Sequence, residues 1–267
     1  MDESSAIAPL GATTPSAPAG LLPLGTPAPP WFNRATALIQ VVLACALIPT
    51  QLVAALVVYL GFGVEMLDAN NEISLEFVAM SSLLDTAVVA LLIRVFLGLS
   101  GEHSRDVFVG PRRPWPEIRL GLALVPVTFL GLSLLVLLIR TALPWLHNVQ
   151  TSPFENFLST PLDAAIFLVV AVLAGGVREE LQRGFLLHRF GQHLGGMPVG
   201  LAIYSLVFGV AHYDQGWDVA ISVGVLGVIW GLIYVKRRSS ILAMANHAGF
   251  NGVQVLWAAV ARSLGLQ

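Results

Sequence analysis

Long apolar runs alternate with short polar stretches along this chain, and the runs outlast what a soluble core needs. Apolar residues dominate near 36–61, 77–98, 118–142, 162–192, 198–212, 218–235 and 239–260. A helix rises about 1.5 Å per residue, so roughly 17 to 25 apolar residues cross the hydrocarbon layer of a bilayer. In lipid the backbone must satisfy its own hydrogen bonds, which selects helices for such runs. The pattern predicts an all-α, polytopic transmembrane helical bundle of about seven spans, with six to eight as the range. Pro49 is expected to kink the first span. The fourth starts near 162 and is expected to run on toward 192, and the fifth is the shortest. No repeat of fixed period is visible, so 32–267 reads as one transmembrane domain.

Composition strengthens this reading. Only 11% of the 267 residues are charged and 56% are hydrophobic, with a mean hydropathy of +0.78. A soluble domain carries about 25% charged residues. No basic tail or stripe points to nucleic acid. The single cysteine, Cys45, can form no internal disulfide and excludes a cysteine zinc cluster. Residues 1–31 are rich in Ala, Pro, Gly, Ser and Thr and lack a basic segment followed by an apolar one. They read as a disordered tail rather than a cleavable signal peptide.

Charge then orients the spans. The loop after span 1 holds Glu65, Asp68, Glu72 and Glu76 without Lys or Arg, whereas the next holds Arg105, Arg112 and Arg113. Beyond Arg140 the loop after span 3 has no basic residue. Span 4 ends with Arg183 and Arg189, the following loop has Asp214 and Asp218, and span 6 ends in Lys236–Arg238. The positive-inside rule places the N-terminus in the cytoplasm and the C-terminus outside, as for a multi-pass protein of a bacterial inner membrane. Trp31, Trp115, Trp145 and Trp217 fall at the expected interfaces. Gly227 and Gly231 form a small-residue step, read as packing within one chain rather than as a dimer face. Oligomeric state stays open.

Against this background the stretch GGVREELQRGFLLHRF, residues 175–190, is dense in charge. Glu179 and Arg183 are spaced i, i+4 and can pair, while Glu179 and Glu180 point about 100° apart. Of six histidines, only His212 and His247 lie within apolar segments; His103 and His147 in loops, and His188 and His193 near a helix end, are expected to be solvated or interfacial. His247 shares a helix face with Asn251. Counted from the turn between spans 4 and 5, Glu179 and His212 both rise about 20 Å, so an antiparallel pair sets them level. His247 and Asn251 reach a similar depth on span 7. A lone membrane histidine usually bonds between helices, and terminal glutamates can snorkel to the interface. Convergence is what argues for chemistry. Imidazole and carboxylate are standard zinc ligands, a side-chain amide can hydrogen-bond an oxyanion, and a nearby glutamate can take a proton from water. Asp85 and Arg94 in span 2 are assigned no chemistry. Neither H-E-x-x-H nor G-x-S-x-G occurs.

These residues resemble the CPBP intramembrane metalloproteases, the group of CAAX prenyl endopeptidases and bacteriocin-processing or self-immunity proteins also called ABI. That family carries E-E-x-x-x-R, F-x-x-x-H and H-x-x-x-N on successive helices. Here Phe208 and His212 meet the second, and His247 and Asn251 meet the third. The likeness covers about 160–255. The first motif departs: EELQR has two residues between the glutamates and Arg183 instead of three. Aligned on the glutamates, Glu179 takes the water-activating place. Aligned on Arg183, that place falls to Arg178. A helix absorbs one residue only by rotating about 100° or by bulging.

The resemblance implies a metal-dependent endopeptidase of the membrane, cutting a membrane-associated protein or peptide. Glu179 would activate water, with Glu180 beside it. His212, His247 and Asn251, with Glu179, would hold a zinc ion or orient the attacked carbonyl. Arg183 would brace the glutamates, and Phe208 would pack beneath. Two other classes stay open: a catalytically silent partner-binding or bacteriocin-immunity protein, and a proton-relay transporter.

Overall fold

A computed structural model of the chain describes residues 31–150 and 154–265, and the expected tail lies outside it but for Trp31. Among the described residues there is no strand, only an isolated bridge between Leu67 and Ile73. The helices are α1 Arg34–Cys45, α2 Leu47–Leu56, α3 Leu75–Leu99, α4 Ser104–Phe108, α5 Pro114–Ala123 and α6 Val125–Ala142. Then come α7 Pro161–Val170, α8 Glu179–His193, α9 Met197–Val210, α10 Trp217–Arg237 and α11 Ile241–Ser263.

Each of the seven apolar runs coincides with helix. Four helical stretches are long and apolar enough to cross a membrane unaided: Leu75–Leu99, Val125–Ala142, Pro161–His193 and Trp217–Arg237. A bent pair, Arg34–Cys45 with Ile48–Gly61, makes a fifth if counted as one span. The other two expected spans differ for identifiable reasons. Met197–Val210 has 14 residues, or about 21 Å, short of a hydrocarbon core. Ile241–Ser263 has the length but spends its positions on Asn246, His247, Asn251 and Gln254.

Prolines set the breaks. The first run bends by 45° at Ala46, where ψ is 129°, rather than at Pro49 itself. A proline ring clashes with the carbonyl four residues back, here Cys45, so the helix gives way just before it. The run expected as one span at 118–142 splits at Leu124, because Pro126 cannot bond back to Leu122.

The core lies where α8, α9, α10 and α11 meet, with Phe185, Leu187 and Trp230 almost fully enclosed. The Gly227–Gly231 step packs against α9, within the chain as expected: a methyl at Gly231 would sit 2.2 Å from Leu201. Polar clamps fasten both ends of the bundle. Asp218, fully buried at the start of α10, accepts from Arg140 Nε at 2.7 Å and meets His147 Nδ1 at 3.0 Å. At the opposite end Glu102 receives Arg189, Gln192 at 2.7 Å and His188 at 2.5 Å, while Arg189 also donates to Gln40. Burial raises the Glu102 carboxyl, but His188 and Arg189 outweigh it and hold it at about 2. His188, expected at a solvated helix end, is therefore a buried tie between helices.

Candidate active site

Span 4 changes its winding inside the membrane. Between α7 and α8, residues Ala171–Arg178 form a π-helical segment, and α8 begins at Glu179. This segment contains Gly175 and Gly176, and the absence of side chains lets α11 press against it. A methyl at Gly176 would fall 2.5 Å from Ala248 Cα, and one at Gly175 would fall 2.4 Å from Asn251 Nδ2. The close approach sets His247 and Asn251 beside the first turn of α8.

The two glutamates part company there. Glu179 lines a cavity of about 510 Å³ together with His212, His247, Asn251 and Phe208. Glu180 is 1% exposed and turns inward instead. Its Oε1 lies 2.9 Å from His247 Nδ1. An ionised carboxylate only accepts, so Nδ1 carries the proton and Nε2 is left with its lone pair. That Nε2 faces Glu179 Oε2 across 3.7 Å. Glu180 thus fixes the tautomer of His247, and Glu179 shares the cavity with the free nitrogen.

The same reasoning orients His212. Its Nδ1 lies 2.7 Å from the Phe208 carbonyl, which can only accept, so Nε2 is the unprotonated nitrogen. Asn251 Nδ2 donates one hydrogen to the Ala171 carbonyl at 3.0 Å and keeps a second.

Arg183 is fully buried and pairs with Glu180 at i, i+3, not with Glu179 at i, i+4 as the spacing suggested. Its ion pair thus braces Glu180 rather than both glutamates. Its guanidinium lies over Tyr204, Phe208 and Trp230 at 4.9, 4.8 and 5.5 Å from the ring centres. An aromatic box shields this cation where no water can. Phe208 packs under the site, edge-on to both His212 and His247.

Three contributors escaped the sequence. Trp230 stacks on His247 with ring centres 3.7 Å apart and donates to Asn246 at 2.8 Å. Its place in mid-span, away from the interfaces where Trp31, Trp115, Trp145 and Trp217 fall, was the available signal. Gln182 donates to the Ala44 carbonyl at 2.8 Å, latching α8 onto the bend of the first span. Asp85 pairs with Arg178, whereas Arg94 is exposed.

The four residues expected to ligate zinc, Glu179, His212, His247 and Asn251, all line the same cavity. Among the described residues no group of three or more His, Cys, Asp or Glu side chains is placed to hold a metal ion. Glu179 Oε2 and His247 Nε2 face one another, while His212 and Asn251 are held through Nδ1 to the Phe208 carbonyl and Nδ2 to the Ala171 carbonyl.

No significant match exists among curated proteins or solved structures. Residues 161–253 match a family model described as type II CAAX prenyl endopeptidase Rce1-like. That segment spans α7 through most of α11 and contains Glu179, Glu180, Arg183, Phe208, His212, His247 and Asn251. Over that segment the chain is similar to the Rce1-like type II CAAX prenyl endopeptidases of the CPBP family, and its several apolar helices fit an integral membrane protein.

Proposed function

We propose that the protein is an intramembrane endopeptidase in which Glu179 activates water against a peptide bond of a membrane-associated protein or peptide. One observation carries this reading: Glu179 Oε2 and the lone pair of His247 Nε2 face each other across 3.7 Å at the wall of the cavity. A water molecule can donate to both acceptors, which directs its own lone pair toward a bound carbonyl. Glu179 takes the proton as the oxygen attacks. The second hydrogen of Asn251 Nδ2 then donates to the oxyanion, and such a donor is worth about 10² to 10³ in rate. Collapse of the tetrahedral intermediate breaks the C–N bond, and Glu179 returns its proton to the leaving nitrogen. His212 Nε2 offers an acceptor to the substrate's backbone N–H. Glu180 and Arg183 touch no reacting atom, because they hold His247 in place from behind.

Among the described residues no group of three or more His, Cys, Asp or Glu is placed to hold a metal ion, and these steps use the chain's own side chains alone. The cavity walls Phe129, Phe167, Phe250 and Trp257 favour an apolar segment of substrate. The prenylated substrates in the family's description are not carried over. With the basic loops in the cytoplasm, the N-terminus lies on that side.

The test uses the full chain purified in detergent and a library of quenched-fluorescent peptides bearing an apolar anchor. Wild type cleaves members of the library, Glu179→Gln does not, and cleavage persists in a chelator at millimolar concentration. Equal cleavage by wild type and Glu179→Gln would refute the protease reading. Loss in chelator with recovery on adding zinc would refute the metal-free route alone.

A further inference from the structure

Two charged residues that the proposed reaction leaves unused sit directly behind its base. Arg178 ends the π-helical segment, and Asp85 lies on the buried face of α3 at 1% exposure. Asp85 Oδ2 and Arg178 Nη1 form a close ion pair. Arg178 Nη2 reaches on to Glu179 Oε1 at 3.6 Å. Asp85 Oδ1 and Arg178 Nε are buried without a hydrogen-bond partner. The pair is therefore not optimised as a structural tie, which would use the two-pronged geometry open to guanidinium and carboxylate.

The geometry matters because Arg178 and Glu179 are neighbours in sequence. A buried guanidinium without a counter-ion takes the nearest carboxylate, and with Asp85 gone that is Glu179. A two-pronged pair there would occupy both oxygens, including the Oε2 that faces His247. The base would be present yet engaged.

We propose that Asp85 is a positioning residue: it holds Arg178 by one nitrogen, so that the cation meets Glu179 only on Oε1 and leaves Oε2 to the attacking water. The inference rests on the protease reading above. Asp85 acts through Arg178 and touches no reacting atom.

The experiment measures kcat and KM per folded molecule with the peptide that wild type cleaves fastest, alongside the melting temperature in detergent. The variants are Asp85→Asn, Arg178→Gln, the double variant and Glu179→Gln. Asp85→Asn is expected to lower kcat about tenfold or more, with KM held within about twofold. Arg178→Gln keeps kcat within about threefold of wild type, and the double variant recovers to that level, a large coupling between the two sites. A purely structural pair would shift the melting temperature and the folded yield but leave kcat of the folded fraction unchanged. Wild-type kcat in Asp85→Asn, or a double variant no faster than Asp85→Asn, overturns the proposal. If Asp85→Asn does not fold, Arg178→Gln decides, because a loss as deep as that of Glu179→Gln would make the cation essential and overturn it. Undiminished cleavage by Glu179→Gln would instead bring down the protease reading, and this inference with it.

Discussion

Gly176 is where the site is most exposed to a small change. An alanine methyl there would lie 2.5 Å from Ala248 Cα, 2.6 Å from its Cβ and 2.8 Å from its nitrogen, against an ordinary contact of 3.4–4 Å. Backbone atoms cannot swing aside as a side chain can. Either α11 or the π-helical segment must retreat by about 1 Å, and overpacking of this kind costs about 1–3 kcal/mol. Ala248 follows His247 and precedes Asn251 by three residues, so the retreat draws both away from Glu179. A 1 Å misplacement of reacting groups costs about 10²-fold in rate. Gly176→Ala should therefore lose about 10²-fold in kcat with a lowered melting temperature, measured by peptide cleavage and thermal unfolding in detergent. Gly98→Ala is the control, since nothing lies within 4 Å of its added methyl. It should match wild type in kcat and gain up to about 1 kcal/mol in helix propensity. Wild-type turnover and melting in Gly176→Ala would show that the close approach does not govern the site.

Other outcomes separate the roles of the site residues. Glu180→Ala strips the acceptor from His247 Nδ1 and the partner from Arg183, so it should cost about 3–5 kcal/mol in stability and about 10- to 100-fold in kcat. Glu179→Ala, by contrast, should abolish cleavage with little change in melting temperature, and the reverse pattern would exchange the two roles. Trp230→Ala removes the stack on His247 and one wall of the Arg183 box, with an expected loss of about 3–5 kcal/mol read from chemical denaturation. Glu102, held at about 2 against an ordinary 4.5, contributes stability that is complete above about pH 4.5 and fades as pH falls toward 2. Glu102→Gln should therefore melt well below wild type at pH 7, with the gap shrinking to less than about half by pH 3. A gap that stays constant over that range would place the effect in packing rather than charge.

The helices and the convergence of Glu179, His212, His247 and Asn251 were legible because both follow from spacing along one element and depth between neighbours. Rotation and partner choice were not. Spacing allowed Arg183 to reach Glu179, yet the twist of span 4 turns Glu180 toward Arg183 and His247 instead. Nothing local to Asp85 names Arg178, 93 residues away, as its partner. The split at Leu124 follows from Pro126, but a proline can kink a membrane helix without ending it, so sequence alone left the span whole. His188 looked solvated because Glu102, its acceptor, lies in a loop beyond another span.

The winding of Ala171–Arg178 has an evolutionary consequence. A π-wound stretch carries one more residue per hydrogen-bonded turn than an α-helix. Deleting a residue there can be absorbed by rewinding toward α, with the helices on either side keeping their faces. The same deletion within α8 would turn everything beyond it by about 100° and tear Arg189 and His188 from Glu102. Chain length between the first helices and Glu179 can thus drift at this one seam, while the residues on both sides of it stay locked in phase.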